Sequence, residues 1–151
     1  MNETLRSIAV SHTRDPIRDL RNYNSEMSLS QVIKFFEKYD IHFTKTTVQH
    51  YIRIRILPPP AEKKYFRRHI ALLAVIALLR DTFSLEEIRG LLAPVLDDFN
   101  SAENVYNTLA DFLRAHLDKI YGQAPPEDSL AQKLELAAQA VAAKAAAVGA
   151  T

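Results

Sequence analysis

Three features of the sequence predict an all-α protein. Ser28 and Ser84 each stand three residues before a glutamine or glutamate, a capping pattern that opens helices. The apolar run from Ile70 to Leu79 reads as a buried core helix, and an Ala-rich C-terminal segment favours helix intrinsically. The arrangement expected is a helix-turn-helix head with a small wing, followed by a C-terminal helical region that serves dimerisation. Residues 1–26 form an N-terminal arm, 27–93 the head and 94–151 the C-terminal region.

The elements follow in chain order. After Ser28, Leu29, Val32, Ile33 and Phe36 recur at helical spacing, and the helix runs to about Tyr39. Asp40 to Phe43 connect it to a short second helix that opens on Thr44 and buries Val48 and Ile52. Tyr51 reads as a packing residue at the core edge. Pro58, Pro59 and Pro60 fix φ and supply no amide proton, so the chain must leave the helix for an extended excursion. That excursion holds Glu62, Lys63, Lys64 and Tyr65 and forms the wing, with the Tyr65 ring against the head. A third helix covers Arg67 to Arg80. It is apolar on every side from Ile70 to Leu79 and is therefore expected at the centre. Ser84 and Glu87 cap a fourth helix with Leu85, Ile88, Leu91 and Leu92 as its buried stripe, closed or bent by Pro94. Asn100 and Glu103 are expected to cap a fifth, which carries Val105, Leu109, Phe112, Leu113, His116 and Ile120 on one face and ends at Gly122 before Pro125 and Pro126. The last helix, from about Glu127 to Val148, carries the stripe Leu130, Leu134, Ala137, Val141, Ala145 and Val148, spaced 4, 3, 4, 4, 3. Such a stripe wants a partner helix.

Composition excludes several classes. A chain of 151 residues, 48% of them hydrophobic, can bury one core. The absence of cysteine rules out disulfides, thiolate metal sites and a cysteine nucleophile, and agrees with a reducing compartment. The first residues hold no signal-peptide core, and ten apolar residues from Ile70 fall short of the roughly 20 that span a bilayer. A cytoplasmic protein without membrane contact is expected. No phosphate-cradling, dinucleotide, G-x-S-x-G or H-E-x-x-H motif is present, so neither enzyme activity nor a cofactor is expected. His42, His50, His69 and His116 show no helical pairing and point to no metal; His116 is expected at an interface.

A net charge of +1 conceals a division. Residues 1–90 carry 15 Lys+Arg against 10 Asp+Glu, net +5, whereas residues 91–151 carry 4 against 8, net −4. Between Lys45 and Arg68 the balance is +6. A basic patch on a helical head points to nucleic acid.

Residues Thr47 to Pro60, TVQHYIRIRILPPP, resemble the T-[VL]-R-Y-Y-x-x-x-G-L-L-P-P second helix and exit of MerR-like regulators. Tyr65 and the run IALLAVIALLRDTFSLEEIRGLL resemble the helices that follow in that family. Gln49, His50 and Arg55 stand where its pattern has Arg, the first Tyr and Gly, and Lys63 and Lys64 replace its Gly-Tyr-Arg. The finer combination, SLSQVIKFFEKYDI before a Tyr-containing second helix, PPP, a KKY wing and a long helical tail, is similar to the domain-of-unknown-function family 1836. The resemblance implies a MerR-like DNA-binding head, a role in transcription regulation and no known ligand.

On the second helix Lys45, Gln49 and Arg53 share one face, opposite Val48 and Ile52. Gln49 and Lys45 are the expected base readers, since glutamine pairs bidentately with adenine and lysine reaches guanine acceptors. Thr46 and His50 border that face and join them as base contacts. Arg53, Arg55, Lys63, Lys64, Arg67 and Arg68 are expected to contact phosphate, whereas Arg14, Arg18 and Arg21 of the arm are expected to be the ordinary charges of a chain terminus rather than further phosphate contacts. The function expected is sequence-specific binding of double-stranded DNA by a homodimer paired through the last helix. Two alternatives remain at this level: a helical adaptor that binds protein through its Ala-rich tail, and a regulator with a small-molecule pocket among Phe99, Tyr106, Phe112 and Tyr121. The last helix could also fold back on its own head and leave a monomer.

Overall fold

A computed structural model describes residues 26–122 and 129–149. The arm over 1–25, with Arg14, Arg18 and Arg21, lies outside these residues, as do the Pro125, Pro126 turn and the helix start at Glu127. Among the described residues the chain is all-helical, with α1 Leu29–Glu37, α2 Lys45–Arg53, α3 Arg67–Leu79, α4 Leu85–Leu91, α5 Ala93–Asp97, α6 Ala102–Gly122 and α7 Leu130–Gly149.

Local chemistry sets the helix starts. The Ser28 hydroxyl accepts from the Gln31 amide at 3.3 Å while the Gln31 side chain accepts from the Ser28 amide at 2.8 Å. Ser84 and Glu87 repeat this reciprocal box at 3.1 and 2.9 Å. Thr44 caps α2 through a bond from the Thr47 amide at 3.0 Å. Each cap satisfies an amide that the first helical turn leaves unpaired.

The ends of α1 and α2 share one device. Beyond α1, the Ile41 amide reaches back to the Phe36 carbonyl and Asp40 sits at φ 58°. Beyond α2, the Ile56 amide reaches the Tyr51 carbonyl at 3.0 Å, the Arg55 amide reaches Ile52 at 3.1 Å, and Arg55 sits at φ 65°. These are Schellman closures, whose left-handed residue is most often glycine. Ile56 and Leu57 are buried immediately afterwards and anchor the exit of α2.

The proline run leads into a tight hairpin. Ala61 and Lys64 exchange two backbone bonds, at 3.2 and 2.8 Å, around Glu62 and Lys63, both at positive φ as a type I′ turn requires. Tyr65 then exchanges two backbone bonds with Met27, at 2.8 and 2.9 Å, and is itself buried. The extended excursion thus ends in a two-residue turn fastened to the segment before α1.

Every residue of α3 from His69 to Ile76 is buried, as expected of a helix apolar all round. One continuous core gathers Val32, Phe35 and Phe36 of α1, Val48 and Tyr51 of α2, Ile88 of α4 and Tyr106 and Ala110 of α6 around it. Edge-to-face rings link α1 to α2, Phe36 to Phe43 at 5.0 Å and Phe43 to Tyr51 at 6.2 Å.

Helix α4 closes at Leu91, just before Pro94 as expected, and Pro94 lies in the first turn of a separate short helix, α5, where its missing amide costs nothing. Two expectations need correction. Asn100 and Glu103 do not cap α6: a 3-10 turn, Phe99–Ser101, precedes that helix, and the Glu103 carboxylate is bound by Arg67. The fully buried residues of α6 are Ala102, Tyr106 and Ala110, with Val105, Leu109 and Leu113 of the expected stripe packed half-buried beside them; its remaining members Phe112, His116 and Ile120 are exposed. The small alanines let α6 come close to α3, with which it makes its main packing. The last helix, α7, lies against α4 through Lys144, whose Nζ is 3.4 Å from Glu87 and 5.6 Å from the Phe83 ring centre. No residue of α7 is buried. No helix among the described residues is long and apolar enough to cross a membrane.

Left-handed backbone costs a side chain about 1–2 kcal/mol, of which glycine's greater freedom in the unfolded chain returns about 0.5–1. Arg55→Gly is therefore expected to be more stable than Arg55→Ala by about 0.5–1 kcal/mol, the two variants lacking the same charge and differing in the strain. Urea unfolding of the two variants beside the parent checks the difference.

Candidate nucleic-acid interface

Helix α2 is divided lengthwise. Val48 and Tyr51 are buried and Ile52 is half-buried; Lys45, Thr46, Gln49 and Arg53 are exposed, with His50 half-exposed at their border. The division follows from helical spacing, since residues three and four apart lie over one another. Two arginines from other helices fix α2 at both ends. Arg80, at the end of α3, donates to the His42 carbonyl at 3.3 Å and lies 4.8 Å over the Phe43 ring, just before α2. Arg89 of α4 donates to the Ile54 carbonyl at 3.3 Å, just after it. The polar face of α2 is thus presented by a rigid element.

Across from Lys45 the exposed side of α1 contributes Lys34. Ser30, Gln31, Ile33, Lys34, Glu37 and Lys45 line one open cleft between the two helices. Sequence reasoning left Lys34 out because its helix was read only for its buried stripe; its polar side carried the signal.

The other expected cations divide. Arg55, Lys63 and Lys64 are exposed, the first in the left-handed closure of α2 and the second in the hairpin turn. Arg68 is exposed and lies 4.9 Å over Phe66 and 5.4 Å over Phe99. Arg67, expected at phosphate, is instead half-buried and gripped by Glu103 through bonds of 3.0 and 2.6 Å. Two parallel bonds suit a planar guanidinium facing a carboxylate, and the pair ties the start of α3 to the start of α6.

Behind these cations sits His69, a buried polar side chain. Its Nδ1 accepts from the Phe66 amide at 3.0 Å, so the proton is on Nε2, which donates to the Pro59 carbonyl at 3.3 Å. Phe99 and Tyr65 meet the imidazole edge-on at 4.8 and 5.4 Å. The ring thereby joins the proline run, the start of α3 and the turn before α6. Burial lowers its pKa below the ordinary value, against the pull of the Pro59 carbonyl; Arg68 lowers it further. Protonation would also abolish the bond from Phe66.

Among the described side chains the aromatic pocket weighed above is not formed. Phe99 packs on His69, Tyr106 fills the core and Phe112 is exposed, while the side chain of Tyr121 lies outside the described ones. His116, expected at an interface, is exposed on α6. Among the described residues no group of three His, Cys, Asp or Glu is placed to hold a metal ion.

A family model described as Domain of unknown function (DUF1836) matches residues 17–112. No curated protein and no solved structure matches the chain.

The buried neutral His69 sets a pH dependence. The unfolded chain binds a proton near pH 6.5 that the folded chain takes up only at lower pH, so this contribution to stability is complete above about 6.5 and is lost as pH falls toward the depressed folded value. Unfolding free energy is expected to rise between pH 5 and pH 7, with the rise reduced in His69→Gln. Denaturant titrations at pH 5, 6 and 7 measure it, and equal slopes in parent and variant would exclude His69 as the cause.

Proposed function

The chain belongs to the family described as Domain of unknown function (DUF1836), and from the side chains its head exposes we propose that it is a sequence-specific, double-stranded-DNA-binding transcriptional regulator of MerR-like winged helix-turn-helix type that acts as a homodimer. One observation carries the reading. Helix α2 buries Val48 and Tyr51, is fixed at both ends by Arg80 and Arg89, and turns Lys45, Thr46, Gln49 and Arg53 outward. A helix that reads the major groove needs this division, with an apolar side to seat it and long donors to reach base edges.

In this reading α1 and α2 are the helix-turn-helix and α2 is the recognition helix. Lys45, Thr46, Gln49 and His50 read bases. Arg53, Arg55 and Lys34 hold the flanking phosphates, and the hairpin with Lys63 and Lys64 is the wing, continued by Arg68. Arg67 is omitted from the phosphate contacts, because a guanidinium already bridged to Glu103 would have to break two charge-assisted bonds first.

Dimerisation is supported by α7. Lys144 and Val148, near its C-terminal end, meet α4, while Leu130, Leu134, Ala137, Val141 and Ala145 of the same stripe are exposed. A helix so poorly buried is marginal alone. Two heads related by a two-fold axis would read an inverted repeat whose half-sites lie about 34 Å apart, or a multiple of it.

Lys45→Ala with Gln49→Ala is expected to abolish preference among DNA sequences with thermal stability unchanged, since both side chains face solvent. Selection of bound fragments from random DNA by parent and double variant measures it; an unchanged preference removes α2 as the reader. Lys63→Ala with Lys64→Ala should weaken every sequence alike and lower the slope of log affinity against log salt by about 2. A chain that shifts no DNA at any salt concentration, but retains partners through α7, would be a helical adaptor instead.

A further inference from the structure

The hairpin that carries Lys63 and Lys64 is a loop of six residues, Pro60 to Tyr65, and the residues at both its ends are bound to one side chain. The imidazole of His69 donates from Nε2 to the Pro59 carbonyl, just before the loop, at 3.3 Å. At Nδ1 it accepts from the Phe66 amide, just after the loop, at 3.0 Å. His69 is 2% exposed, and the rings of Tyr65, Phe66 and Phe99 surround it at 5.4, 6.0 and 4.8 Å. The two ends need such a link for different reasons. Three successive prolines have no amide to bond with, so the incoming end is held through its carbonyls. At the outgoing end Phe66 is the N-cap of α3 and has no side-chain oxygen, while His69 takes the third helical position, where a capping box has Glu or Gln.

We propose that the neutral imidazole of His69 is a proton-sensitive clasp, which holds both ends of the hairpin against the head and whose protonation frees the hairpin while the core stays folded. Its consequence for phosphate binding rests on the DNA reading above, since Lys63 and Lys64 ride on this hairpin.

A proton can enter only at Nδ1, because Nε2 already carries one. The imidazolium then turns an N–H toward the N–H of Phe66, and two donors face each other across a former bond. The ring is rigid, so swinging Nδ1 away from Phe66 also swings Nε2 away from Pro59. Moving Phe66 instead carries Tyr65 with it. Either way the loop loses an end. The charges around the ring oppose an imidazolium. On its own helix Arg68 lies over the Phe66 and Phe99 rings, and Arg67 is paired with Glu103 of α6. The hairpin offers Tyr65, whose phenol burial keeps protonated, and the turn before α6 offers the neutral Phe99. The Pro59 and Pro58 carbonyls favour the cation, but burial and Arg68 outweigh them. Release stays local, because of the six loop residues Tyr65 alone is buried whereas α3 is enclosed on all sides. Thinly buried segments open at lower free energy than the whole fold.

Amide exchange of the full chain at pH 7 and pH 5 tests the clasp without DNA. The Tyr65 and Phe66 amides are expected to show protection well below that of Phe36 and Leu73, and to lose about tenfold of it at pH 5, the order that a released imidazole titrating near 6.5 supplies. His69→Gln can accept from Phe66 and donate to Pro59 but takes up no proton, so there the loss is absent. Equal losses in parent and variant overturn the proposal. So does a loss at Phe66 without one at Tyr65, or hairpin amides protected as strongly as Phe36 and Leu73. In the parent itself the loss must follow the titration of the His69 ring, read by its own NMR signal; a different midpoint overturns the assignment whether or not the variant folds. Below that midpoint the parent's slope of log affinity for duplex DNA against log salt should lie about 2 under that of His69→Gln, in which His42 and His50 are unchanged. A hairpin that opens without this difference keeps the clasp and removes Lys63 and Lys64 from the phosphate contacts. A parent that opens on acidification and binds no DNA keeps the clasp and removes the DNA reading.

Discussion

The packing of this protein depends on enclosing α3. From Ile70 to Ile76 it offers water no polar side chain, and such a helix is stable only when other elements cover its whole circumference. Each Leu or Ile so enclosed contributes roughly 1.5–3 kcal/mol by leaving water. The requirement reaches the candidate site indirectly. Tyr51 and Val48 enter the core gathered around α3, Arg80 projects from its end onto Phe43, and His69 at its start holds the Pro59 carbonyl. The orientation of α2, and of the chain that leaves it, follows from how α3 is buried.

Where a structural feature is decided within a few residues, the sequence carried it. The reciprocal caps at Ser28 and Ser84, the Thr44 cap, the break at three prolines and the central place of α3 are all of this kind. Tyr51 and Tyr65 were also legible as packing residues, Tyr51 at the edge of a helix face and Tyr65 as the ring that holds the wing against the head. What escaped depends on residues far apart. Glu103 has the right spacing for a local cap, yet Arg67, distant in sequence, offers its carboxylate two stronger bonds. The stripe of α6 was placed on Val105, Leu109 and Leu113, which pack only half-buried, whereas the fully buried line of α6 sets Tyr106 between the small Ala102 and Ala110. Lys34 was invisible for a related reason: only the fold brings its helix alongside Lys45.

The electrostatics of the helix ends are uneven. No acidic residue lies in the first turn of α1, α2 or α3, whereas α4 begins with Glu86 and Glu87. Helix starts carry partial positive charge, and a lysine at the first position of α2 or two arginines at the start of α3 add to it at a cost of about 0.3–1 kcal/mol each. For α3 the cost is offset inside the molecule by Glu103, which comes from the acidic part of the chain. For α2 no acidic group of its own first turn does the same, and the cleft beside it holds one cation, Lys34, and one acid, Glu37. The exposed start of α2 keeps the partial positive charge that favours an anion, in keeping with the reading proposed above.

The strained backbone answers to local geometry. Of the four non-glycine residues at positive φ among the described residues, Asp40 tolerates the conformation through its short polar side chain, but Arg55, Glu62 and Lys63 do not. Glycine would serve all three positions without strain, and the MerR-like pattern has glycine where Arg55 stands. Two of these three strained positions carry a cation. At Arg55 part of the cost is returned, because a positive charge just beyond the end of α2 faces the negative pole of that helix. At Lys63, at the tip of a hairpin turn and away from any helix end, nothing comparable offsets it. Glu62 beside it is equally strained and of opposite charge, so the positive φ at this tip follows from the type I′ geometry of the two-residue turn and not from the sign of the charge.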